Sequence, residues 1–426
     1  MSQRRKRLIF HVDVNSAFLS WEAVYRLYHL GAQLDLRSVP SAVGGDEAKR
    51  HGIILAKSIP AGAFGVKTGE PVAEAKRKCP ALLLVPPNYS LYQRSSKAFL
   101  KILRQYTDRV EQFSMDEAFL DLTDIACDPL ETAHRLRRQV RENLGFTVNV
   151  GVASNKLLAK MASDFEKPDR VHTLFAEEIP QKLWPLNVRS LFLVGPASER
   201  KLAQLGIHRI GELAAAEPQV LEQQLKSHGL LLWRYANGID DSPVQAAPEP
   251  NKSYGNSLTT PRDVTEARMA KTYLLSLAET VSARLRADQV RAQVVELSLR
   301  DSSLQFFHHQ RKLAEPTDLT LELYEAACRC FDELWQGEAL RQLGLHTGQL
   351  TRENCRQLRL FGTVDYEKQR RAEAAIDKLR GRFGIDCVKR AVFVQAAGNA
   401  GSCIDHMGGG ISREKRQVDY SRETIL

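Results

Sequence analysis

The chain has few cysteines, and their positions do not indicate a disulfide framework or a zinc site. Seven cysteines are scattered through 426 residues, at positions 79, 127, 328, 330, 355, 387 and 403. The number is odd, and Cys328 and Cys330 lack a second pair of ligands at the spacing that zinc sites use. We therefore expect reduced thiols and a cytoplasmic protein.

Long apolar runs are also missing from the sequence. No segment approaches the roughly 18–20 apolar residues that span a bilayer. The apolar run after the basic N-terminus is too short for a signal peptide and contains His11 and Asp13. A composition of 43% hydrophobic and 26% charged residues is that of an ordinary soluble globular protein of several domains. The net charge of +9 favours a polyanionic partner, of which nucleic acid is the simplest.

Two short apolar stretches, residues 8–18 and 113–122, are interrupted by carboxylates at Asp13, Asp116 and Glu117. Each stretch has the composition of a buried strand, where an ionised carboxylate is costly unless a cation compensates it. Mg²⁺ would do so, and two such ions can clamp the reacting oxygens of a phosphoryl transfer. The alternative is a solvated strand end or turn. Asp116 and Glu117 can face the same ion only near a strand end or a hairpin bend, because neighbouring strand residues point to opposite faces.

The sequence around these carboxylates resembles that of a known family. Val-Asp-Val-Asn-Ser-x-Phe at 12–18 and Ser-Met-Asp-Glu-Ala-Phe-Leu-Asp at 114–121 resemble the two catalytic motifs of Y-family translesion DNA polymerases, with the bacterial polymerase IV type and its Gram-positive relatives nearest. The resemblance extends from about Leu8 to about Arg356. It implies a template-directed enzyme of low fidelity and low processivity that adds a deoxynucleoside monophosphate to a primer 3′-hydroxyl.

The resemblance also implies a role for individual residues. Asp13 and Asp116 would bridge two Mg²⁺ ions, Glu117 would complete the site, and the Val14 carbonyl would ligate the second ion. Phe18 would be the steric gate against ribonucleotides; the alternative for Phe18 is a core aromatic.

A lysine and two unusual residues concern the incoming nucleotide. By resemblance Lys160 would neutralise triphosphate charge, or else belong with Lys156 to a solvated helix face. The family usually has a triphosphate-binding Tyr and, three residues later, an Arg, but here Ile59 and Gly62 take these places. An alternative reason for the glycine at 62 is a backbone that requires a positive φ angle. The departures leave open a second hypothesis, a non-catalytic DNA- and clamp-binding accessory protein on the same fold, although such relatives lose the carboxylates.

The implied fold is a multidomain α+β right hand. Its parts are a palm (1–18 and 89–180), small fingers (19–88), a helical thumb with a helix-hairpin-helix near Gly195 (181–240), a linker (241–251), a βαββαβ little finger (252–355) and a tail (356–426). In the tail, Gln357, Leu358, Leu360 and Phe361 resemble the peptide that docks on the sliding clamp; a chance match or a buried strand is the alternative. The expected partners are primer–template DNA, dNTP and the clamp, and we expect a monomer.

Periodicity predicts the elements more locally. Helices are expected at 20–30, 72–79, 89–110, 129–144, 267–288, 319–336 and within 368–394. Strands are expected at 37–45, 52–58, 147–152, 292–300, 304–313 and 340–345. Residues 398–410 and the charged end are expected to be mostly disordered.

Overall fold

The computed structural model of the protein describes residues 7–45, 52–247, 249–353, 366–394 and 404–407. Contacts divide these residues into two units. The first comprises residues 7–44 and 53–247, and the second comprises residues from Glu249 onward, with Gly45 and Gly52. Both units combine helices with sheets, so the expected α+β class is confirmed.

In chain order the strands of the described residues are β1 (Ile9–Val14), β2 (Ser41–Gly44), β3 (Ile54–Lys57), β4 (Leu83–Val85), β5 (Val110–Gln112), β6 (Glu117–Asp121), β7 (Val148–Ala153), β8 (Val171–Leu174), β9 (Tyr254–Val264), β10 (Arg291–Asp301), β11 (Phe306–Thr317) and β12 (Leu340–Thr351). These strands form three sheets with the orders β5-β6-β1-β7-β8, β3-β2-β4 and β11-β10-β12-β9.

The α-helices of the described residues are α1 (Ala17–His29), α2 (Ile59–Ala63), α3 (Val72–Lys78), α4 (Tyr89–Leu103), α5 (Pro129–Leu144), α6 (Lys156–Ser163), α7 (Ile179–Lys182), α8 (Pro196–Gln204), α9 (Ile210–Ala215), α10 (Pro218–Leu225), α11 (Ser227–Ala236), α12 (Ala267–Ala287), α13 (Thr320–Leu334) and α14 (Tyr366–Phe383). Short 3₁₀ turns occur at Leu36–Ser38, Ala176–Glu178, Val188–Ser190 and Ala391–Phe393.

The central strand of the five-stranded sheet is β1, which is buried along its whole length. Side chains of a strand alternate between two faces, so Phe10, Val12 and Val14 pack into one core cluster while Ile9 packs into another. Asp13 shares its face with Ile9, because the two are four residues apart. The sheet is thus covered on both faces, and the functional carboxylate points to the face that α6 covers.

Helix α6 lies unusually close to the sheet at Gly151 in β7. A Cβ atom at position 151 would lie 1.9 Å from the carbonyl oxygen of Ala159. Only glycine permits this approach, since any side chain would push the helix away. The lysines of α6 are therefore carried down onto the sheet surface.

Two smaller regions complete the first unit. Strands β2, β3 and β4 form a sheet with α2 and α3 over a core that includes Ala42, Ile54 and Val72. Helices α7 to α11 pack through apolar side chains such as Leu202 and Leu232 onto the same cluster as Ile9. Gly195 caps α8 just after the Val188–Ser190 turn, in the stretch expected to form the hairpin.

The second unit begins with the order β9-α12-β10-β11-α13-β12, which is the βαββαβ order expected from the sequence. Its four strands are antiparallel, and leucines and valines from alternate strand positions pack with α12 and α13 in one core.

Buried ion pairs hold helix α14 against α12 of the second unit. Arg286 of α12 binds Glu373 and Asp377 of α14. Glu279, also in α12, binds Arg380 at 2.7 Å as well as Arg390. The predicted helix within 368–394 is therefore present, and charged pairs rather than an apolar face hold it.

Most expected elements agree with the structure, with two differences in the first unit. The strand expected at 37–45 begins only at Ser41, because the Asp35 side chain accepts a hydrogen bond from the Arg37 amide and caps a 3₁₀ turn. The helix expected at 89–110 ends at Leu103. Thr107 accepts from the Arg109 amide and donates to the carbonyl of Asp121, which directs the chain into β5.

Part of the tail is ordered. His406 is buried, and one ring nitrogen lies 2.8 Å from the carbonyl oxygen of Ile385, so disorder is the wrong prediction for the described residues 404–407.

Among the described residues, no helix is long and apolar enough to cross a bilayer.

Candidate active site

The three predicted carboxylates come together at one end of β1 and β6. Asp13 pairs directly with Glu117 across the antiparallel ladder. Asp116 immediately precedes β6, and its carbonyl accepts a hydrogen bond from the Val14 amide at 3.0 Å. The amide of Phe113 donates to the Glu117 carbonyl at 3.0 Å, which closes a tight hairpin between β5 and β6. Asp116 and Glu117 therefore lie at a hairpin bend, which is the condition for their side chains to face the same ion.

Asp13 is the most buried of these carboxylates. Burial raises its pKa to about 6, although Lys167 contacts its Oδ2 and opposes the shift. The Lys167 ammonium also lies 2.7 Å from Asp164, and the pairing with the two carboxylates raises the pKa of Lys167 against the effect of burial. The negative charge of Asp13 is thus incompletely compensated by the protein alone.

Glu117 has a different environment on the same face. The Lys160 ammonium lies 3.0 Å from both of its carboxylate oxygens. Burial acts to raise the pKa of Glu117, but the facing His11 ring and Lys160 lower it to about 2. We attribute the larger share to Lys160, because the 3.7 Å between His11 Nε2 and Glu117 Oε2 is too long for a hydrogen bond.

His11 is enclosed between the strand and α6, with no exposed surface. The Ser163 hydroxyl donates to the carbonyl of Lys160 at 2.8 Å, so the His11 Nδ1, 2.7 Å from Ser163 Oγ, is the donor of that bond. Its Nε2 faces Glu117 without a hydrogen-bond partner. Burial lowers the pKa of His11.

The donor set suits a divalent cation. Asp13, Asp116 and Glu117 offer hard oxygen ligands, and the raised pKa of Asp13 reflects charge that a cation would compensate. Within the described residues no three His, Cys, Asp or Glu side chains are grouped as a metal site, and the Asp116 carboxylate instead accepts from Ser114 Oγ at 2.7 Å.

Phe18, the predicted gate, lies in the first turn of α1. Its ring stacks on Tyr92 of α4 with a centroid distance of 4.6 Å and an interplanar angle of 6°. Tyr92 in turn donates to the buried Glu22 at 3.2 Å. Phe18 is therefore partly buried and packs against the core cluster that contains Tyr92, and its role as a gate stays a prediction.

The region expected to bind the triphosphate is short of polar groups. Ile59 is 65% exposed at the start of α2. Gly62 has no positive φ angle, so its backbone does not require glycine. A Cβ atom at position 62 would lie 2.5 Å from Nζ of Lys57, which shows that the Lys57 side chain fills the space beside Gly62.

The predicted clamp-binding residues lie outside the described residues; they are Gln357, Leu358, Leu360 and Phe361.

Sequence reasoning missed Lys167, which lies in a loop without periodicity. The one available signal was its position three residues after Asp164 in the same stretch as Lys160.

Comparison with known proteins identifies the family of the chain. Residues 12–164 match the model of the impB/mucB/samB family, and residues 251–360 match the impB/mucB/samB family C-terminal domain. DNA polymerase IV of Clostridium acetobutylicum is 38% identical over 391 residues, 91% of this chain and 98% of the relative. DNA polymerase IV of Moorella thermoacetica is 40% identical, over 91% of this chain and 96% of the relative. DNA polymerase IV 2 of Bacillus subtilis is 35% identical, over 95% and 99%.

A solved structure gives the same fold. A Y-family DNA polymerase chimera of Dbh and Dpo4 superposes with a TM-score of 0.69 at 21% identity, covering 80% of this chain and 98% of the chimera. The curated relatives, which are similar over most of the chain, define a nucleotidyl-transfer enzyme of the polymerase class. The chain belongs to the impB/mucB/samB family of Y-family DNA polymerases. The expected enzyme class, DNA-directed DNA polymerase, is confirmed.

Proposed function

We propose that the chain is a translesion polymerase that adds a deoxynucleoside monophosphate from dNTP to the 3′-hydroxyl of a primer–template and releases pyrophosphate, with low fidelity and low processivity. The observation that carries this proposal is the cross-strand pair of Asp13 and Glu117 beside Asp116. An accessory protein has no need of three carboxylates at one strand end.

The metal-binding residues in this proposal are Asp13, Asp116, Glu117 and the carbonyl of Val14. Two Mg²⁺ ions, when bound there, supply charge stabilisation for the attacking and leaving oxygens. The protein's own contribution is to place these residues on a buried strand and a hairpin, at one end of the sheet.

Two lysines and an aromatic ring act beside the carboxylates. Lys160 holds Glu117 in place through both of its oxygens. Lys167, which is 38% exposed, places a positive charge beside Asp13 that attracts a triphosphate. Phe18 leaves no room for a 2′-hydroxyl because Tyr92 prevents its ring from retreating.

The second unit offers a surface for nucleic acid. Alternate residues of β10 and β11 that do not face the core include Arg300, Lys312 and His308, with Glu296 as the acidic exception. Arg300 also stacks over the ring of Phe306, 4.6 Å from its centroid. The sequence of this unit has no excess of basic residues, but this sheet face gathers them, as phosphate contact requires.

The domain assignment is proposed on the same basis. Residues 1–18 and 89–180 form the palm, 19–88 the fingers, 181–240 the thumb, 241–251 a linker, 252–355 the little finger and 356–426 a clamp-binding tail. The support is that the described contacts change from one unit to the other between 247 and 249. A monomer working with a sliding clamp follows from this assignment.

Primer extension with Mg²⁺ and dNTP tests the proposal. The wild type should extend a primer, and Asp116→Ala should not, because a lost metal-binding carboxylate removes charge compensation at the chemical step. Binding of primer–template, measured by fluorescence anisotropy, should remain nearly the same in both proteins. A wild type that binds DNA without extending it would favour the accessory-protein hypothesis, which the absence of a Tyr and an Arg at 59 and 62 supports.

A further inference from the structure

Two buried asparagines, Asn15 and Asn149, form a direct amide pair at the back of the active site. Asn15 follows the last residue of β1 and is 9% exposed, while Asn149 lies within β7 and is fully buried. The Asn15 Nδ2 donates to the Asn149 Oδ1 at 3.1 Å. Polar side chains in such a place are costly unless every group finds a partner.

The remaining groups of Asn149 bind the chain that follows α6. Its Nδ2 donates to the carbonyls of Ser163 at 3.0 Å and Glu166 at 2.6 Å. Its Oδ1 accepts from the amide of Arg170 at 3.2 Å. Both donors and both acceptor positions of this side chain are therefore used.

Asn15 binds the same segment from the other side. Its Oδ1 accepts from the amide of Asp169 at 2.9 Å and from the Thr147 hydroxyl at 2.9 Å. Together the two amides hold four backbone groups between residues 163 and 170, which is the whole connection from α6 to β8.

Lys167 lies in the middle of this connection. Its ammonium contacts Asp13, which is two residues before Asn15 on the chain, and Asp164. A lysine on a loop ordinarily samples many positions, so holding its ammonium in one place costs conformational entropy of both the side chain and the backbone. Because the backbone is bound on both sides of Lys167, the backbone part of this entropy cost is reduced.

We infer that Asn15 and Asn149 act as positioning residues that hold the 164–170 loop so that the ammonium of Lys167 stays against Asp13. The inference deepens the proposed function and rests on it, since the position of Lys167 then sets the affinity for dNTP.

The pair requires amides, which gives the inference its test. Asn149→Asp would turn an oxygen toward the carbonyls of Ser163 and Glu166, so two acceptors would lose their donor and be repelled. Asn15→Asp would keep the acceptor for the amide of Asp169 but would place an oxygen against the Asn149 Oδ1. Both variants are close in size to the wild type.

The first measurement does not depend on activity. Acylation of surface amines, followed by peptide mass spectrometry, reports how accessible each lysine is in the full-length protein. An amine held between two carboxylates reacts slowly, so Lys167 should be labelled several-fold faster in Asn149→Asp and in Asn15→Asp than in the wild type. The labelling of Lys57, in the fingers, should be unchanged. Equal labelling of Lys167 in the wild type and both variants would overturn the inference.

The second measurement connects the pair to dNTP binding. Asn149→Asp should raise the apparent KM for dNTP about tenfold, the loss expected from one charge-assisted contact, with a smaller change in kcat. In the Lys167→Ala background the same substitution should raise KM by less than about twofold, because its effect passes through Lys167. Independent effects of the two substitutions would contradict the inference even if both variants fold.

A matched control separates positioning from general loss of stability. Asn155, 8% exposed at the other end of α6, donates to the carbonyl of Gly238 at 2.8 Å and accepts from the amide of Leu158 at 2.8 Å, and both partners lie outside the 164–170 loop. Asn155→Ala should lower the melting temperature by a comparable amount without changing Lys167 labelling or KM. If Asn155→Ala exposed Lys167 equally, the effect would be one of stability and the inference would be wrong. A wild type that fails to extend primers would refute the proposed function, while the labelling would still decide whether the amides hold the loop.

Discussion

The residues at 59 and 62 offer the sharpest test of how this chain binds the incoming nucleotide. We expect Ile59→Tyr with Gly62→Arg to lower the apparent KM for dNTP, because a hydroxyl and a guanidinium would then reach the triphosphate. A hydrogen bond to a charged group is worth roughly 1.5–3 kcal/mol, which is about ten- to a hundredfold in affinity per contact. The expected improvement is at the lower end, because Lys57 already places one positive charge beside Gly62.

The structure indicates that the substitution at 62 is tolerated. Gly62 has no positive φ angle, so the possibility that its backbone requires glycine is wrong. A new Cβ would lie 2.5 Å from Nζ of Lys57 but 3.6 Å from its Cε, so only the flexible end of that side chain must move. Replacing glycine inside helix α2 should itself add up to about 1 kcal/mol of helix stability. The melting temperature should therefore stay the same or rise slightly.

Matched controls separate charge from size. Gly62→Gln has a similar reach without the guanidinium, and Ile59→Phe has the ring of tyrosine without its hydroxyl. Steady-state dNTP titration should give the lowest KM for the double variant and little or no improvement for the controls. A double variant that melts normally yet has the wild-type KM, or a glutamine that improves KM as much as arginine, would refute the reasoning. Lys57→Met in the wild type should raise KM, because it removes the charge that partly compensates.

Three further outcomes follow from the structure. Phe18→Ala should admit ribonucleotides into primer extension, since the gate acts by repulsion and Tyr92 remains behind it; an unchanged preference for dNTP over rNTP would show that another residue discriminates. Replacing Leu360 and Phe361 with alanine should remove clamp-stimulated processivity and spare synthesis without the clamp, and equal loss in both assays would mean that the stretch belongs to the core. Glu279→Gln should weaken protection of α14 against hydrogen exchange by on the order of 3 kcal/mol, because it leaves the buried Arg380 without its charge partner. The pKa of Glu279 is lowered in the folded protein from its ordinary 4.5, so this difference from the wild type should be complete above pH 4.5 and shrink as the pH falls below it; a difference that is independent of pH would argue against the ion pair.

The elements that a local pattern determines could be predicted from the sequence. The alternation of β1 follows from spacing that the chain itself carries. Helix α5 begins and ends as predicted because Asp128 caps its first turn and Gly145 takes the positive φ angle at its end. The stretch 113–122 was expected to be one strand, but it contains a hairpin bend and β6 begins only at Glu117. Strands β4, β5 and β8, with three, three and four residues, were missed because so few residues show no period.

The partners of the lysines in α6 could not be predicted from the sequence, because these partners are distant along the chain. The sequence places Lys156 and Lys160 on one helical face, and in the structure the two lysines bind Glu111 of β5 and Glu117 of β6. Helix α6 itself packs on β1, β7 and β8, so these carboxylates come from strands beside the ones that it covers. Sheet order is a property of the whole fold, so spacing along the helix cannot identify these partners. The assignment of Lys160 to the triphosphate therefore stays a prediction, and the structure adds its contact with Glu117.

Lys167 shows the opposite case, in which the position of a residue depends on side chains that have no charge at all. Nothing in the local sequence distinguishes it from other surface lysines, and its loop has neither helical nor strand period. Its place against Asp13 follows from backbone groups on either side being bound by two amides, one 134 residues after the other along the chain. Two residues with ordinary roles in turns and caps thus acquire a specific role only because β1 and β7 are neighbours in the sheet. A substitution at either asparagine should consequently alter nucleotide binding more than its distance along the chain from Lys167 suggests.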